Sequence, residues 1–214
     1  MNSIRKLFSG ILHLYYRLIL PKGNSIDFGS NTILFSILKI KGENNQIKLG
    51  KDCTIRKTNI EINGNNNLVS FGEKSKVYEN LNVLIESDNC KLEIGNSSTI
   101  GSVKIQLGER NTSVIIGEDC MLSRDIIINT SDFHSIIDLE RQIRINPAKD
   151  VIIGDHVWLG NGVYINKGAL IGKDSIVAAR SVVPGKTFEK NSIIGGIPAK
   201  VIKTNTNWDR KLIK

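Results

Sequence analysis

The chain has 214 residues and a mass of 23.7 kDa, a size that fits one domain or one domain with a small appendage. Its hydrophobic content of 40% excludes wholesale disorder, and an aromatic share of only 6% beside 19 glycines favours a finely repetitive β-rich core over a helical bundle. The 29 Lys and Arg against 21 Asp and Glu give a net charge of +8. That charge suits an anionic partner without choosing between a phosphorylated cofactor, an acidic polysaccharide, nucleic acid and a membrane surface.

The N-terminal segment is apolar but interrupted by charge. Residues 4–20 carry apolar side chains at helical spacing together with three basic residues. The uncharged run 7–16 is shorter than the ~20 residues needed to cross a bilayer, and no small-residue cleavage site follows it. We therefore predict that residues 1–25 form a helical cap over the open end of the core in a cytoplasmic protein. The second interpretation is a peripheral membrane contact through residues 1–20, with the basic residues toward anionic headgroups.

A five-residue phrase recurs between residues 49 and 120: an apolar residue, glycine, two polar residues and a small residue. Its copies begin 22, 23 and 22 residues apart, at Leu49, Phe71, Ile94 and Ile116. We interpret each interval as one coil of a solenoid with a few extra residues at one corner, where Asn-rich patches fit because Asn tolerates left-handed backbone angles. Cys53 and Cys120 fall on the small position and are predicted to be inert wall residues. With Cys90 they form an odd, widely spaced set, which argues against a disulfide framework or a thiolate metal cluster and favours a reducing compartment.

From residue 153 the repeat becomes strict. An aliphatic residue occupies every sixth position, at Ile153, Leu159, Ile165, Ile171, Val177 and Val183. A period of six matches neither a helix nor a simple strand alternation, but it fits short strands joined by tight corners with one inward aliphatic per side. Three such sides close an 18-residue triangular coil, and stacked coils pair as parallel strands at ~4.8 Å.

The repeat stops between residues 133 and 151. An insertion of this length in a solenoid is more often functional than accidental. It opens with His134, and the ordinary histidine pKa of ~6.5 suits a general base near neutral pH. The carboxylates near enough in sequence to fix the tautomer of its ring, among which the sequence does not choose, are Asp132, Asp138 and Glu140.

The six-residue repeat, strict over residues 114–203 and looser over 26–113, resembles the left-handed parallel β-helix acyltransferases. A Gly-x-Pro-Ala motif at 196–199 is similar to the one with which that family closes its last coil. The resemblance implies an all-β fold, a left-handed parallel β-helix of hexapeptide repeats over residues 26–203. It would carry the short N-terminal helical cap and an extruded loop at about 134–150.

One branch of that family is more similar than the rest. His134 opening the loop, followed 24 residues later by Trp158-Leu159-Gly160, resembles the galactoside, maltose and xenobiotic O-acetyltransferases. The segment 131–138 is most similar to enzymes that acetylate polysialic acid and other capsular sugars. The resemblance implies an acetyl-CoA-dependent O-acetyltransferase for a bacterial surface carbohydrate, a capsular or sialic-acid-type glycan. It also implies a homotrimer with active sites in clefts between subunits, and no required metal.

The resemblance assigns roles residue by residue. His134 would be the general base, Trp158 would line the groove against pantetheine or the acceptor sugar, and Asp132 would help to bind the acceptor. The lysines would meet the nucleotide phosphates, and Val177-Ala178-Ala179-Arg180 departs from the family's usual Gly-Ala-Gly. The expected coenzyme A contacts are Gly160, Asn161, Ala178, Ala179, Lys186, Lys200 and Lys203.

Alternatives remain open at the level of the sequence. An N-acetyltransferase acting on an amino-sugar nucleotide would use the same base, and a non-catalytic β-helix scaffold would use none. A zinc-dependent lyase would need three clustered histidines, and only His134 and His156 lie outside the predicted cap. Nucleic-acid binding is disfavoured because the basic residues are dispersed and no aromatic-basic stacking motif is present. Residues 204–214 are predicted to be a tail, a short helix or a disordered end, without a chemical role.

Overall fold

The computed structural model describes residues 14–16 and 18–213, and its regular structure is almost entirely β. The first nine strands are β1 (Ser25–Phe28), β2 (Ile33–Lys41), β3 (Gln46–Leu49), β4 (Thr54–Asn63), β5 (Leu68–Phe71), β6 (Lys76–Ile85), β7 (Lys91–Ile94), β8 (Thr99–Leu107) and β9 (Ser113–Ile116). The next six are β10 (Met121–Leu122), β11 (Ile126–Asn129), β12 (Ile137–Asp138), β13 (Ile143–Arg144), β14 (Val151–Ile153) and β15 (Trp158–Leu159). The remaining strands are β16 (Tyr164–Ile165), β17 (Leu170–Ile171), β18 (Ile176–Val177), β19 (Val182–Val183), β20 (Thr187–Phe188), β21 (Ser192–Gly196) and β22 (Ala199–Thr204).

The strands stack into coils with three sides. The first side is an eight-stranded parallel sheet in the order β1-β3-β5-β7-β9-β14-β17-β20. The other two sides belong to one twelve-stranded sheet, in which β8 pairs along its length first with β10 and then with β11. We call the column β10-β15-β18-β21 the second side and the column β11-β16-β19 the third side. The predicted parallel β-helix is therefore confirmed, with β2, β4, β6 and β8 each covering two sides as one bent strand.

The interior is filled by the residues that the strict repeat singles out. The six aliphatic residues at intervals of six, from Ile153 to Val183, are at most 1% exposed. The small residues of the same coils, from Val157 to Ser181, are equally buried. Each fully buried Val, Leu or Ile contributes about 1.5–3 kcal/mol relative to an exposed one, so the regular beat itself stabilises the scaffold that carries the site.

Asparagine builds one corner of the N-terminal coils, as predicted. Four stacked asparagines adopt left-handed backbone angles with φ between 56° and 59°, and they are Asn44, Asn66, Asn89 and Asn111. Beside them, the buried Asn67 donates from N and Nδ2 to Asn45 Oδ1 at 3.0 and 2.9 Å, and its own Oδ1 accepts from Cys90 N at 2.7 Å. Each coil is thereby registered on the next through side-chain amides as well as through the strands.

The three cysteines are buried and free, at no more than 1% exposure. Burial raises the pKa of all three thiols, that of Cys120 to about 11, so they stay protonated at neutral pH. The prediction that Cys53 and Cys120 are wall residues is confirmed.

The N-terminal cap is described only at its end. Residues 14–16 and 18–19 are helical, and Tyr16 packs against the first coil, where its hydroxyl donates to Ser36 O at 2.6 Å. Residues 1–13 and 17 of the predicted cap, including His13, lie outside the described residues. Residues 20–24 form a bend and a turn, and β1 begins at Ser25, so the helix does not continue to residue 25 as predicted. No helix in the described part of the chain has the length and apolarity to cross a membrane.

The C-terminal tail differs from the prediction of a short helix or a disordered end, which is wrong. Residues 205–213 run without helix back along the second side of the coils. Trp208 stacks on His156 with centroids 4.3 Å apart, and Arg210 bonds to Asp119. These partners lie 52 and 91 residues away in sequence, so local composition could not reveal that the tail is docked.

Candidate active site

The insertion emerges as a loop from one corner of the stack, as predicted. It leaves the third side after β11 and rejoins the first side at β14, and we call this position the loop corner. Its regular structure is the small antiparallel pair β12 and β13. Four aliphatic side chains of this loop are at least half exposed. They are Ile136, Leu139, Ile143 and Ile145.

A charged network ties the base of the loop to the scaffold. Asp132 Oδ2 accepts hydrogen bonds from Lys167 Nζ at 2.5 Å and from Asn146 Nδ2 at 2.7 Å. Lys167 Nζ also donates to Asn146 O at 2.9 Å. The lysine and then the amide hold the pKa of Asp132 below its usual range. The carboxylate of Asp132 is thus occupied with anchoring the loop.

A second ion pair fixes the return strand of the loop. Arg144 donates from Nη1 and Nη2 to the two carboxylate oxygens of Glu109 at 2.8 and 2.6 Å, and this pairing lowers the pKa of Glu109. Asn146 connects the pair to the start of the loop. Its Oδ1 accepts from Arg144 Nε at 3.1 Å and from Ile136 N at 2.7 Å, while its Nδ2 donates to His134 O at 2.8 Å. The backbone that follows the His134 side chain is therefore held by one buried amide.

His134 itself stands at the strained entrance of the loop. Phe133, just before it, has a left-handed backbone with φ of 61°, which is uncommon for an aromatic residue. The Phe133 ring occupies the space that the missing side chain of Gly108 leaves free, since a Cβ there would lie 2.6 Å from the ring. The exposed His134 side chain lines a cavity of about 440 Å³ together with Glu86, Glu109 and Arg144.

Two of the three carboxylates expected to orient the histidine ring bind other groups. Asp132 is bound by Lys167 and Asn146, and Asp138 caps the amides of Glu140 and Arg141 at 2.9 and 3.0 Å. Within residues 14–16 and 18–213 of one chain, no side chain hydrogen-bonds the imidazole. The ring is presented to the cavity with both nitrogens free for a ligand.

Trp158 lies on the second side, which faces away from the loop corner. It stands on β15 between Met121 and Ile176 of the neighbouring coils, is 37% exposed, and donates from Nε1 to Ser123 Oγ at 3.4 Å. Its outward orientation agrees with the prediction. Because a side and the opposite corner of a triangular coil are separated by the core, a single chain does not bring Trp158 and His134 together.

Four of the predicted coenzyme A residues do come together. Gly160 and Asn161 form the corner between the second and third sides, and Ala178 and Ala179 form the same corner one coil later. A Cβ on Gly160 would lie 2.7 Å from Ala179 N, so the two coils touch backbone to backbone. We call this position the Gly160 corner. At this corner Gly160 is buried, Ala178 is half-buried, and Asn161 and Ala179 are exposed.

The three predicted lysines divide between two places. Lys200 and Lys203 lie on β22, which pairs antiparallel with β21 beside the Gly160 corner. Lys186 instead precedes β20 at the loop corner, where its Nζ lies 4.9 Å from the centroid of the Phe188 ring. Lys186 is therefore not on the same edge of the chain as the other two.

No group of three His, Cys, Asp or Glu side chains in the described ranges is arranged to hold a metal ion. The two histidines that a zinc site would have used are apart, since His134 is at the loop corner while His156 is stacked under Trp208 on the second side.

Comparison with known proteins identifies the family of this chain. The family model described as bacterial transferase hexapeptide (six repeats) matches residues 150–185. The polysialic acid O-acetyltransferase of Neisseria meningitidis is 38% identical over 175 residues, which are 82% of this chain and 80% of the relative. The chain belongs to the hexapeptide-repeat acetyltransferases.

Two solved structures extend the match to the fold of this hexapeptide-repeat acetyltransferase. The polySia-specific acetyltransferase NeuO superposes with a TM-score of 0.76 at 32% identity, covering 89% of this chain and 91% of that one. The polysialic acid O-acetyltransferase OatWY does so with a TM-score of 0.73 at 33% identity, covering 89% and 90%. The left-handed β-helix and the resemblance to capsular O-acetyltransferases, both predicted from the sequence, are confirmed.

Sequence reasoning missed several residues of the site in this acetyltransferase. The position of Lys167 could have been predicted from the repeat. Pairing of Ile128 with Ile165 places residue 167 beside residue 130, at the base of the loop. No such signal existed for Asn146 and Arg144, since their partners depend on how the loop folds back. Arg210 was also missed. It lines a cavity of about 450 Å³ on the second side.

Proposed function

We propose that this chain transfers an acetyl group from acetyl-CoA to a hydroxyl of a sialic-acid-type capsular glycan, with His134 as the general base. The observation that carries the proposal is the way His134 is held: Asn146 fixes its backbone while its ring stands unpaired in an open cavity. The names of the similar proteins supply the acceptor class, polysialic acid. The net charge of +8 is favourable for such a polyanion.

The reaction requires little from the protein beyond positioning the two substrates and the base. An unprotonated nitrogen of His134 takes the proton of the acceptor hydroxyl while its oxygen forms a bond to the thioester carbonyl carbon. The C–S bond then breaks, and the leaving sulfur of coenzyme A receives the proton from the imidazolium. Because the thioester is already activated, His134 suffices as the proton carrier and no acyl-enzyme is needed. Backbone N–H groups at the cleft would stabilise the oxyanion.

We propose that the chain forms a homotrimer, and the separation of His134 and Trp158 within one chain supports this proposal. In a ring of three triangular stacks, the loop corner of one subunit can meet the second side of the next, which would put both side chains on one cleft. The exposed aliphatics of the loop, with Leu139 at 82% exposure, support this arrangement because a neighbour would bury them. The acceptor would then lie between subunits.

The donor is proposed to lie along the Gly160 corner. The surface that Asn161, Ala178 and Ala179 form beside the buried Gly160 would accommodate pantetheine, and Lys200 and Lys203 would meet the phosphates. Lys186, at the loop corner, would reach the same cleft from the neighbouring subunit. The free, buried cysteines fit the cytoplasmic location that an acetyl-CoA-dependent enzyme needs.

The test is release of free thiol from acetyl-CoA by the purified full chain. Acceptors would be a sialic acid polymer, sialic acid, a neutral capsular glycan and an amino-sugar nucleotide, each with wild type and His134→Ala. We expect release with the sialic acid polymer, reduced about 10²- to 10⁴-fold in the variant. Release that survives the substitution would remove His134 from its role. Release with the amino-sugar nucleotide alone would favour N-acetylation, and the absence of both release and calorimetric acetyl-CoA binding would favour a scaffold.

A further inference from the structure

The docked tail is held by an aromatic and hydrogen-bonded clasp. The rings of Trp208 and His156 are stacked 4.3 Å apart with only 8° between their planes. Trp208 Nε1 donates to His156 O at 2.7 Å, and His156 Nε2 lies 3.0 Å from Trp208 O. The other ring nitrogen of His156 lies 2.9 Å from Asp119 Oδ2. Residue 156 thus joins the tail to a carboxylate of the preceding coil.

Arg210 closes the clasp two residues further on. Its guanidinium donates to Asp119 Oδ1, Thr99 Oγ1 and Cys120 O, each at 3.0 Å, and its Cζ lies 5.5 Å from the Trp208 ring. One side chain therefore spans two coils. A loosely associated chain end would not satisfy so many donors at once.

The clasp adjoins the part of the cleft that the proposed function uses. The Trp208 ring lies 6.1 Å from the Trp158 ring at an angle of 48°. Arg210 lines the cavity of about 450 Å³ in which Ser123, the hydrogen-bond acceptor of Trp158, and Asn161 of the Gly160 corner also take part. The tail is thus adjacent to the indole and to the expected donor site.

We propose that the C-terminal tail forms one wall of the acetyl-transfer groove and that Trp208 is a positioning residue for Trp158. The inference rests on the proposed function for the identity of the groove. Trp158 is partly exposed, and its own hydrogen bond at 3.4 Å is long. Without the neighbouring ring its indole would sample several rotamers, and binding of acetyl-CoA would have to order it.

The first experiment measures how accessible the Trp158 indole is to a quencher. Trp158 and Trp208 are the chain's two tryptophans, so Trp208→Phe and Trp208→Ala both leave Trp158 as the sole emitter. We expect acrylamide to quench Trp158 more strongly in the Ala variant than in the Phe variant, which keeps an aromatic ring at the contact. Equal quenching in two folded variants, verified by far-ultraviolet circular dichroism, would overturn the positioning role.

The second experiment measures acetyl-CoA binding by calorimetry. Ordering one additional side chain corresponds to about 2- to 10-fold in affinity, so we expect Trp208→Ala and Arg210→Ala to weaken binding by that factor. We expect Trp208→Phe to restore most of it. Lys211→Ala, on an exposed residue of the same tail, is the matched control and should bind like wild type.

The outcomes separate this inference from the function on which it rests. If wild type does not bind acetyl-CoA, the proposed function fails. If wild type binds acetyl-CoA and Trp208→Ala binds it equally well, the tail does not contribute to the acetyl-CoA site and the inference is overturned. A chain that ends at Asn205 should behave like Trp208→Ala, and normal affinity in that truncated chain would contradict the wall.

Discussion

The loop corner and the second side present their key residues by different means. At the loop corner, ion pairs and amide hydrogen bonds fix the backbone around His134, and the anchoring groups Asp132, Lys167, Arg144 and Glu109 are charged. On the second side, stacked aromatic rings and coil-to-coil backbone contacts hold the surface around Trp158, and the ion pair of Arg210 with Asp119 adds to them. A charged anchor can be released by pH or by loss of one charge, whereas an aromatic wall responds to shape. The two halves of the proposed cleft can therefore be broken independently.

The largest effect should come from mixing two variants, each of which lacks one half of the proposed cleft. In the proposed homotrimer, the His134→Ala and Trp158→Ala variants should each be nearly inactive on their own. Co-refolded in equal amounts, they should recover about a quarter of wild-type activity, because a cleft between subunits needs an intact histidine from one and an intact tryptophan from the next. Thiol release measures this. Two inactive proteins that stay inactive after verified subunit exchange would contradict a shared cleft.

A smaller loss is expected when the space under Phe133 is filled. In Gly108→Ala the new Cβ would lie 2.6 Å from the Phe133 ring and 2.5 Å from Ser131 Oγ, so the entrance of the loop must shift. We expect kcat to fall about 10-fold, since displacements of ~1 Å near a reacting group are costly. The ring can move, so the melting temperature should change little. A large loss of thermal stability with normal kcat in the surviving protein would reverse this interpretation.

Removing the charge under the loop should have a more modest effect. Lys167→Met leaves Asp132 with Asn146 as its remaining partner, and we expect kcat to fall severalfold as the loop loosens. Lys149→Met changes an exposed lysine near the same corner and serves as the control. Limited proteolysis at Arg141 should be faster in Lys167→Met only. Equal cleavage of both variants would show that the ion pair does not anchor the loop.

The smallest effect is a pH dependence of the same anchor. The pKa of Asp132 is lowered in the folded state, so its contribution is present above the ordinary aspartate range and is lost as pH falls through the lowered value, below about pH 4. Digestion with an acid protease should therefore open the loop only below that range in wild type. In Lys167→Met the onset should move to higher pH. If digestion begins at the same pH in both proteins, protonation of Asp132 does not control the order of the loop.

Much of the scaffold could be read in advance because its physics is local and repetitive. One inward aliphatic every six residues and a small residue at each corner are sufficient to specify a three-sided coil, and Ile153, Leu159 and Ile165 are buried as that rule requires. The same regularity made the interruption at His134 conspicuous. It also placed Trp158 outside the core, because a position next to an inward residue on a strand must point outward.

The sequence by itself therefore determined the β-helix, the place of the loop and the chemistry-bearing side chains on it. Only the tertiary structure decided that Asp132 anchors the loop through Lys167, and that Trp208 and Arg210 of the tail close over His156 and Asp119. The reason is that these contacts join segments whose meeting depends on how a non-repetitive loop and a chain end fold back. A periodic pattern specifies which residues face the core, but it carries no information about the partners that aperiodic segments find on the surface.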